Sequence, residues 1–216
     1  MSTYASLSPL PTKKRRRVVG IAIVAVLLGA MALDTKIVKI GSEADNRQAG
    51  FSAERFGAEQ FPLIRDDVSS RAVDAVTLAK AISTDQQAAS EQYGVATDIG
   101  PVMPVSFSGV VGEGKSGIYN IEVEGLPDSL GIRLQTGPAI NGTDLRDATG
   151  TIKFGQFTNQ IEYQNAGSAI NNEMKKQLLA DIDTSSLSGK SISVVGVFKL
   201  INPDNWLVTP VSLELQ

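Results

Sequence analysis

Five consecutive cations, Lys13 to Arg17, run directly into sixteen uncharged residues, Val18 to Leu33 (VVGIAIVAVLLGAMAL), and this pairing restricts the chain more than any other feature. A basic cluster before an apolar run stays on the cytoplasmic side of a membrane, so everything after Asp34 is expected to lie across it. As a helix the run measures about 24 Å against a hydrocarbon core of about 30 Å, a deficit that flanking Lys and Arg can cover with their stems. Two readings follow. In one the run is an uncleaved single-pass anchor, with the C-terminal body on the far side of the membrane. In the other Ala30-Met31-Ala32 is a signal-peptidase site that releases a soluble exported body. A nuclear-localisation patch fits poorly, because the adjoining run has no polar face.

The organisation expected is a basic cytoplasmic tail (1–17), the anchor or signal segment (18–33), a linker (34–50), a helical segment (51–99) and a β-rich domain (100–216). Of twenty cations five lie in the tail, while all twenty-three acids lie at or beyond Asp34, so the exported part carries 15 − 23 = −8. Such a body repels phosphate backbones and argues against nucleic acid as a partner. With no Cys and no His, disulfides, thiolate nucleophiles, Cys/His zinc sites and imidazole triads are excluded.

Local patterns fill in the body. Ser52 is a helix cap, with Phe51 and Phe56 set to staple across it, and Pro62 is expected to end or kink that helix. Val68, Ala72, Ala75, Val76, Ala79 and Ile82 predict a second amphipathic helix, and Gln86 to Tyr93 a shorter one stopping at Gly94. From Gly100 the period becomes two. Met103-Val105-Phe107 and Tyr119-Ile121-Val123 predict a hairpin around a turn at Gly112 to Gly117. A third strand follows over Ile132 to Thr136, and a short one at Ile152 and Phe154. Ile170, Met174, Leu178 and Ile182 predict a helix. Ser191 to Leu200 and Trp206 to Leu215 predict two further strands, with Leu207 to Leu215 sharing one face at every second residue. Three main strands, a helix and two strands give an α+β fold, a five-stranded OB-fold-like β-barrel with a helix between strands three and four.

Gly109 to Ser116 (GVVGEGKS) satisfies the phosphate-loop pattern, but a strand rather than a helix follows it, so its glycines are assigned to a hairpin turn and no nucleotide is expected. The candidate site is the stretch Thr136 to Gln160. Asn141, Thr143, Asp144, Arg146, Asp147, Asn159 and Gln160 there offer donors and acceptors that fit ligand or partner recognition, or local capping with Asp144 paired to Arg146. The oxygens do not have the spacing of a calcium loop, and no metal or cofactor is expected. Catalysis by two carboxylates, Asp144 with Asp147 or Glu162, requires no His but has no positive signal.

The segments KIVKIGSEAD, FSGVVGEGKSGIYN, QTGPAINGTDLRDATGTIKFGQFTNQIEYQ and GVFKLINPDNWLVTPVSLE resemble an uncharacterised family of predicted bacterial periplasmic lipoproteins, often encoded beside sugar ABC transporters. Family members often carry a lipobox Cys just before the segment reading KIVKI here, whereas this chain has Asp34-Thr35. The family has no established catalytic residues to carry over; the resemblance implies an envelope location, with the anchor in a bacterial inner membrane and the body in the periplasm, and a link to sugar uptake, but no mechanism. Together these readings describe a non-enzymatic, membrane-tethered binding or accessory module. Its expected partners are the inner membrane and a sugar ABC transporter permease or its binding protein. A structural envelope protein and a carboxylate-based hydrolase are the alternatives.

Overall fold

A computed structural model of the protein describes residues 12–34 and 51–216. The tail up to residue 11 and the linker of residues 35–50 lie outside the described residues. The chain divides into two units, Met1–Gly50 and Phe51–Gln216. In the first, helix α1 (Thr12–Asp34) carries the apolar run, with Val19, Ile21, Val26 and Met31 exposed. Among the described residues no helix is long and apolar enough to cross a membrane. The spanning helix expected at 18–33 is thus corrected: the run is helical, but the described helix is not long and apolar enough to cross.

In the second unit α2 (Ala53–Arg71) starts as its sequence dictates. Ser52 Oγ accepts from the Arg55 N–H at 3.5 Å, and the Phe51 and Phe56 rings meet with centroids 5.4 Å apart. Pro62 does not end this helix. Burial of Phe61, Ile64 and Val68, each worth about 1.5–3 kcal/mol, outweighs the one hydrogen bond a proline removes. The single helix expected from Val68 to Ile82 is broken instead at Ala72. Val73–Asp74 form a short strand, β1, parallel to Val105 and Ser106 of β2 (Val102–Lys115). The Asp74 carboxylate then caps α3 (Ala75–Thr84) by accepting from the Thr77 N–H at 3.0 Å. Helix α4 (Gln86–Tyr93) stops at Gly94.

The remaining strands are β3 (Ile118–Glu122), β4 (Gly131–Gln135), β5 (Ser191–Lys199) and β6 (Asn205–Leu215). The sheet runs β1-β2-β3-β4-β6-β5, and β2 also pairs with β5. Five strands therefore close a circuit, and β1 adds a sixth outside it where five were expected. Helices α5 (Asp144–Asp147) and α6 (Gln160–Met174) lie between the third and fourth strands of that circuit. The core is centred on Trp206, fully buried and stacked on Phe198 with centroids 4.4 Å apart.

Several local expectations are corrected by tertiary pairing. Lys115 pairs with Ile118, so the turn is only Ser116 and Gly117, at φ 55° and 77°, and Gly109 to Lys115 are strand. Of the phosphate-loop glycines, Gly109 serves close approach, since a Cβ there would stand 2.5 Å from the Glu122 carbonyl oxygen. No strand forms at Ile152 and Phe154: Ile152 is buried from an irregular segment, and Phe154–Gln156 is a 3-10 turn. A π turn at Lys175–Leu179 shifts the phase of the helix that follows α6, so that Leu179 rather than Leu178 follows Met174 into the core. In β6, Gly196 faces Pro210 while Val195 faces Ser212, leaving Val211 as a bulge. Trp206, Val208, Val211 and Leu213 enter the core, whereas Leu207 is only half-buried and Leu215 is exposed, so the single face expected from Leu207 to Leu215 fails at both of its ends.

Candidate functional site

The start of β2 and the end of β5 are paired, Val102 opposite Lys199, and beside this end of the circuit lies a cleft of about 530 Å³. Its walls come from the segment before β2 (Thr97, Asp98, Ile99), the α5 turn (Thr143, Arg146, Asp147), the loop at Lys153 and Phe154, the first turns of α6 (Gln160, Tyr163, Gln164) and Lys199. Three charged side chains form its floor, Arg146, Asp147 and Lys199, with Asp144 behind Lys199, and all four are only 10–14% exposed.

Arg146 lies on Asp147, with Nε donating to Oδ1 at 2.8 Å and Nη2 standing 2.8 Å from the same oxygen. Its guanidinium carbon stands 3.7 Å from the centre of the Tyr163 ring, a cation–π contact that fixes the planar head. Oδ2 of Asp147 accepts from the Thr143 hydroxyl at 2.7 Å and from Lys199 Nζ at 3.4 Å. Lys199 also donates to Thr143 Oγ1 at 3.3 Å and lies 3.7 Å from Asp144 Oδ1. The expected pairing of Asp144 with Arg146 is thus replaced: Asp144 faces Lys199, and Arg146 takes Asp147, the adjacent residue.

Burial pushes the Asp144 carboxyl above its ordinary value. Lys199 pulls it down, Asp147 pushes it up, and the desolvation dominates. A carboxyl whose folded value is raised contributes stability when protonated: fully present below the unfolded value of 3.8, lost as pH rises through the raised one. Comparing unfolding free energies of the native chain and Asp144→Asn across this window should show the native chain gaining on the variant as pH falls. A parallel pair of curves would contradict the burial argument.

The floor is positioned from α6 and α2. Asn171, buried on α6, donates from Nδ2 to the carbonyls of Ile140 (3.1 Å) and Gly142 (2.8 Å), fastening the chain that leads into α5. Arg71 Nη2, at the end of α2, donates to the Ala148 carbonyl at 3.0 Å. Removing the amide strands two carbonyls, at about 1–3 kcal/mol for each that stays buried. Asn171→Ala should therefore lower the unfolding free energy by about 2 kcal/mol in urea titration, and an unchanged midpoint would show that the loop holds itself.

Of the residues singled out by sequence, Thr143, Arg146, Asp147 and Gln160 line the cleft, and Asp144 stands behind Lys199. Asn141 is exposed and is not among the lining residues, and Asn159 is the N-cap of α6, accepting from the Glu162 N–H at 2.9 Å. Lys199, Tyr163 and the exposed ring of Phe154 were not foreseen as site residues. A lone cation in the apolar run SISVVGVFKL was the one available sign of Lys199. Among the described residues no group of three or more acidic side chains is placed to hold a metal ion.

Strand order and cleft together define an α+β protein of OB type. It is similar to the crystal structure, at 1.90 Å resolution, of an OB-fold protein from Thermotoga maritima. The TM-score is 0.60 at 19% identity, with 77% of this chain and 99% of that chain covered. The chain belongs to the family described as predicted periplasmic lipoprotein (DUF2291), whose model matches residues 21–214. No curated protein matches it. Although the family is described as lipoproteins, this sequence contains no cysteine to carry a thioether-linked lipid.

Proposed function

We propose that the protein is a non-enzymatic binding or accessory module of the periplasm, associated with the inner membrane through α1 and serving a sugar ABC uptake system. The observation that carries the reading is the cleft: an open concavity on a rigid strand framework, with a pre-organised charged floor and an exposed aromatic ring at its wall. The carboxylates give little support to hydrolysis. Both oxygens of Asp147 are occupied by Arg146, Thr143 and Lys199, and Glu162 accepts from the Thr158 N–H at 2.9 Å at the start of α6. The uptake association draws on the genomic company of the resembling family, and the membrane association on the apolar surface of α1.

Crosslinking followed by affinity purification from native membranes, with and without added sugars, tests the reading. Recovery of a transporter permease or its sugar-binding protein is the expected result. Repeated failure with a well-folded, membrane-fractionating protein would favour a structural envelope role instead.

A further inference from the structure

We infer that the cleft takes an uncharged, hydroxyl-rich ring compound of the neutral saccharide class, in preference to a sugar phosphate, sugar acid or amino sugar, an inference that rests on the cleft being a binding site. The argument is one of charge closure. Arg146, Lys153 and Lys199 face the cleft with Asp98 and Asp147, and Asp144 backs Lys199, so three cations meet three carboxylates. The central ions are already paired. Asp147 engages Arg146 through Oδ1 and Thr143 and Lys199 through Oδ2, and among the described residues no buried side-chain nitrogen or oxygen lacks a partner.

An anion at Arg146 or Lys199 would compete with Asp147 for the same cations, weakening the pairing of a carboxylate that is 12% exposed. An ammonium group would approach Lys199 and Arg146 against like charge. A hydroxyl does neither, because it donates to one fixed ion and accepts from another without breaking the pair. The outer wall suits the same ligand. Gln160, Gln164 and Thr97 are neutral hydrogen-bonding groups, and Phe154, half exposed and edge-on to Tyr163 at 5.7 Å between centroids, offers an apolar surface to the C–H face of a sugar ring.

The test is calorimetric titration of the full chain with matched probes: glucose and galactose, maltose, galacturonate, glucose 6-phosphate and glucosamine. The expected result is that a neutral sugar binds at least tenfold more tightly than its charged counterparts. Monosaccharide against disaccharide separates a free sugar from the end of a glycan. Tighter binding of a charged probe would overturn the inference while leaving the binding-module reading intact; no heat from any probe would overturn both. Asp147→Asn should move the preference toward galacturonate by about tenfold, and an unchanged preference in the folded variant would refute charge closure. If that variant does not fold, Phe154→Ala decides. It should weaken the neutral sugar about tenfold without altering charge preference, and unchanged affinity would remove the stacking wall from the model of recognition.

Discussion

Asp147→Ala should destabilise the folded body by about 3–5 kcal/mol, the cost of removing one partner from a buried ion pair. The substitution leaves Lys199 with Asp144, but Arg146, whose side chain is 10% exposed, keeps only the Tyr163 ring and a 3.5 Å contact to the Tyr163 carbonyl. At about 2–4 °C per kcal/mol for a domain of this size, the melting temperature should fall by roughly 6–20 °C. Removing both members in Arg146→Met, Asp147→Leu should recover much of the loss, since a buried pair exchanged for apolar groups is often neutral. A cycle of the two single variants and the double variant measures the coupling directly. A loss within about 0.5 kcal/mol for Asp147→Ala would place the pair among surface ion pairs and remove the pre-organisation on which the cleft depends.

That outcome bears on why the site was only half legible. Thr143, Asp144, Arg146 and Asp147 are polar residues clustered in one loop, and a polar loop between apolar strands is visible in sequence. Their partners are set by the closing of β2 onto β5, which brings Lys199 to Asp147, and by α6, which brings Tyr163 and Asn171 to the loop. The same division runs through the fold. Capping by Ser52, the stop at Gly94 and the strand at Ser191 are local and readable. The break at Ala72 and the bulge at Val211 each answer to a neighbour distant in sequence, Val105 for β1 and Val195 with Gly196 for the bulge. Periodicity carries no record of such neighbours.

Gly117→Ala should be the most damaging small substitution in the body, with the loss exceeding about 4 kcal/mol and leaving little folded protein. Two costs add there. At φ 77° an L side chain meets its own backbone, worth roughly 1–2 kcal/mol. A Cβ at this position would also stand 1.0 Å from the Gly137 carbonyl oxygen. The chain cannot move aside cheaply, because Gly117 closes a two-residue turn whose carbonyl accepts from the Thr136 N–H at 2.7 Å and from its hydroxyl at 3.2 Å. Relief of the clash would therefore pull β3 from β4. Gly189→Ala separates the two costs, since Gly189 has φ 81° but nothing within 4 Å of its Cβ position. That variant should lose only the roughly 1–2 kcal/mol of the backbone term and remain folded in urea titration and far-ultraviolet circular dichroism. Equal losses at the two glycines would mean that the turn is not seated against Gly137, and that the β3–β4 end of the sheet is open.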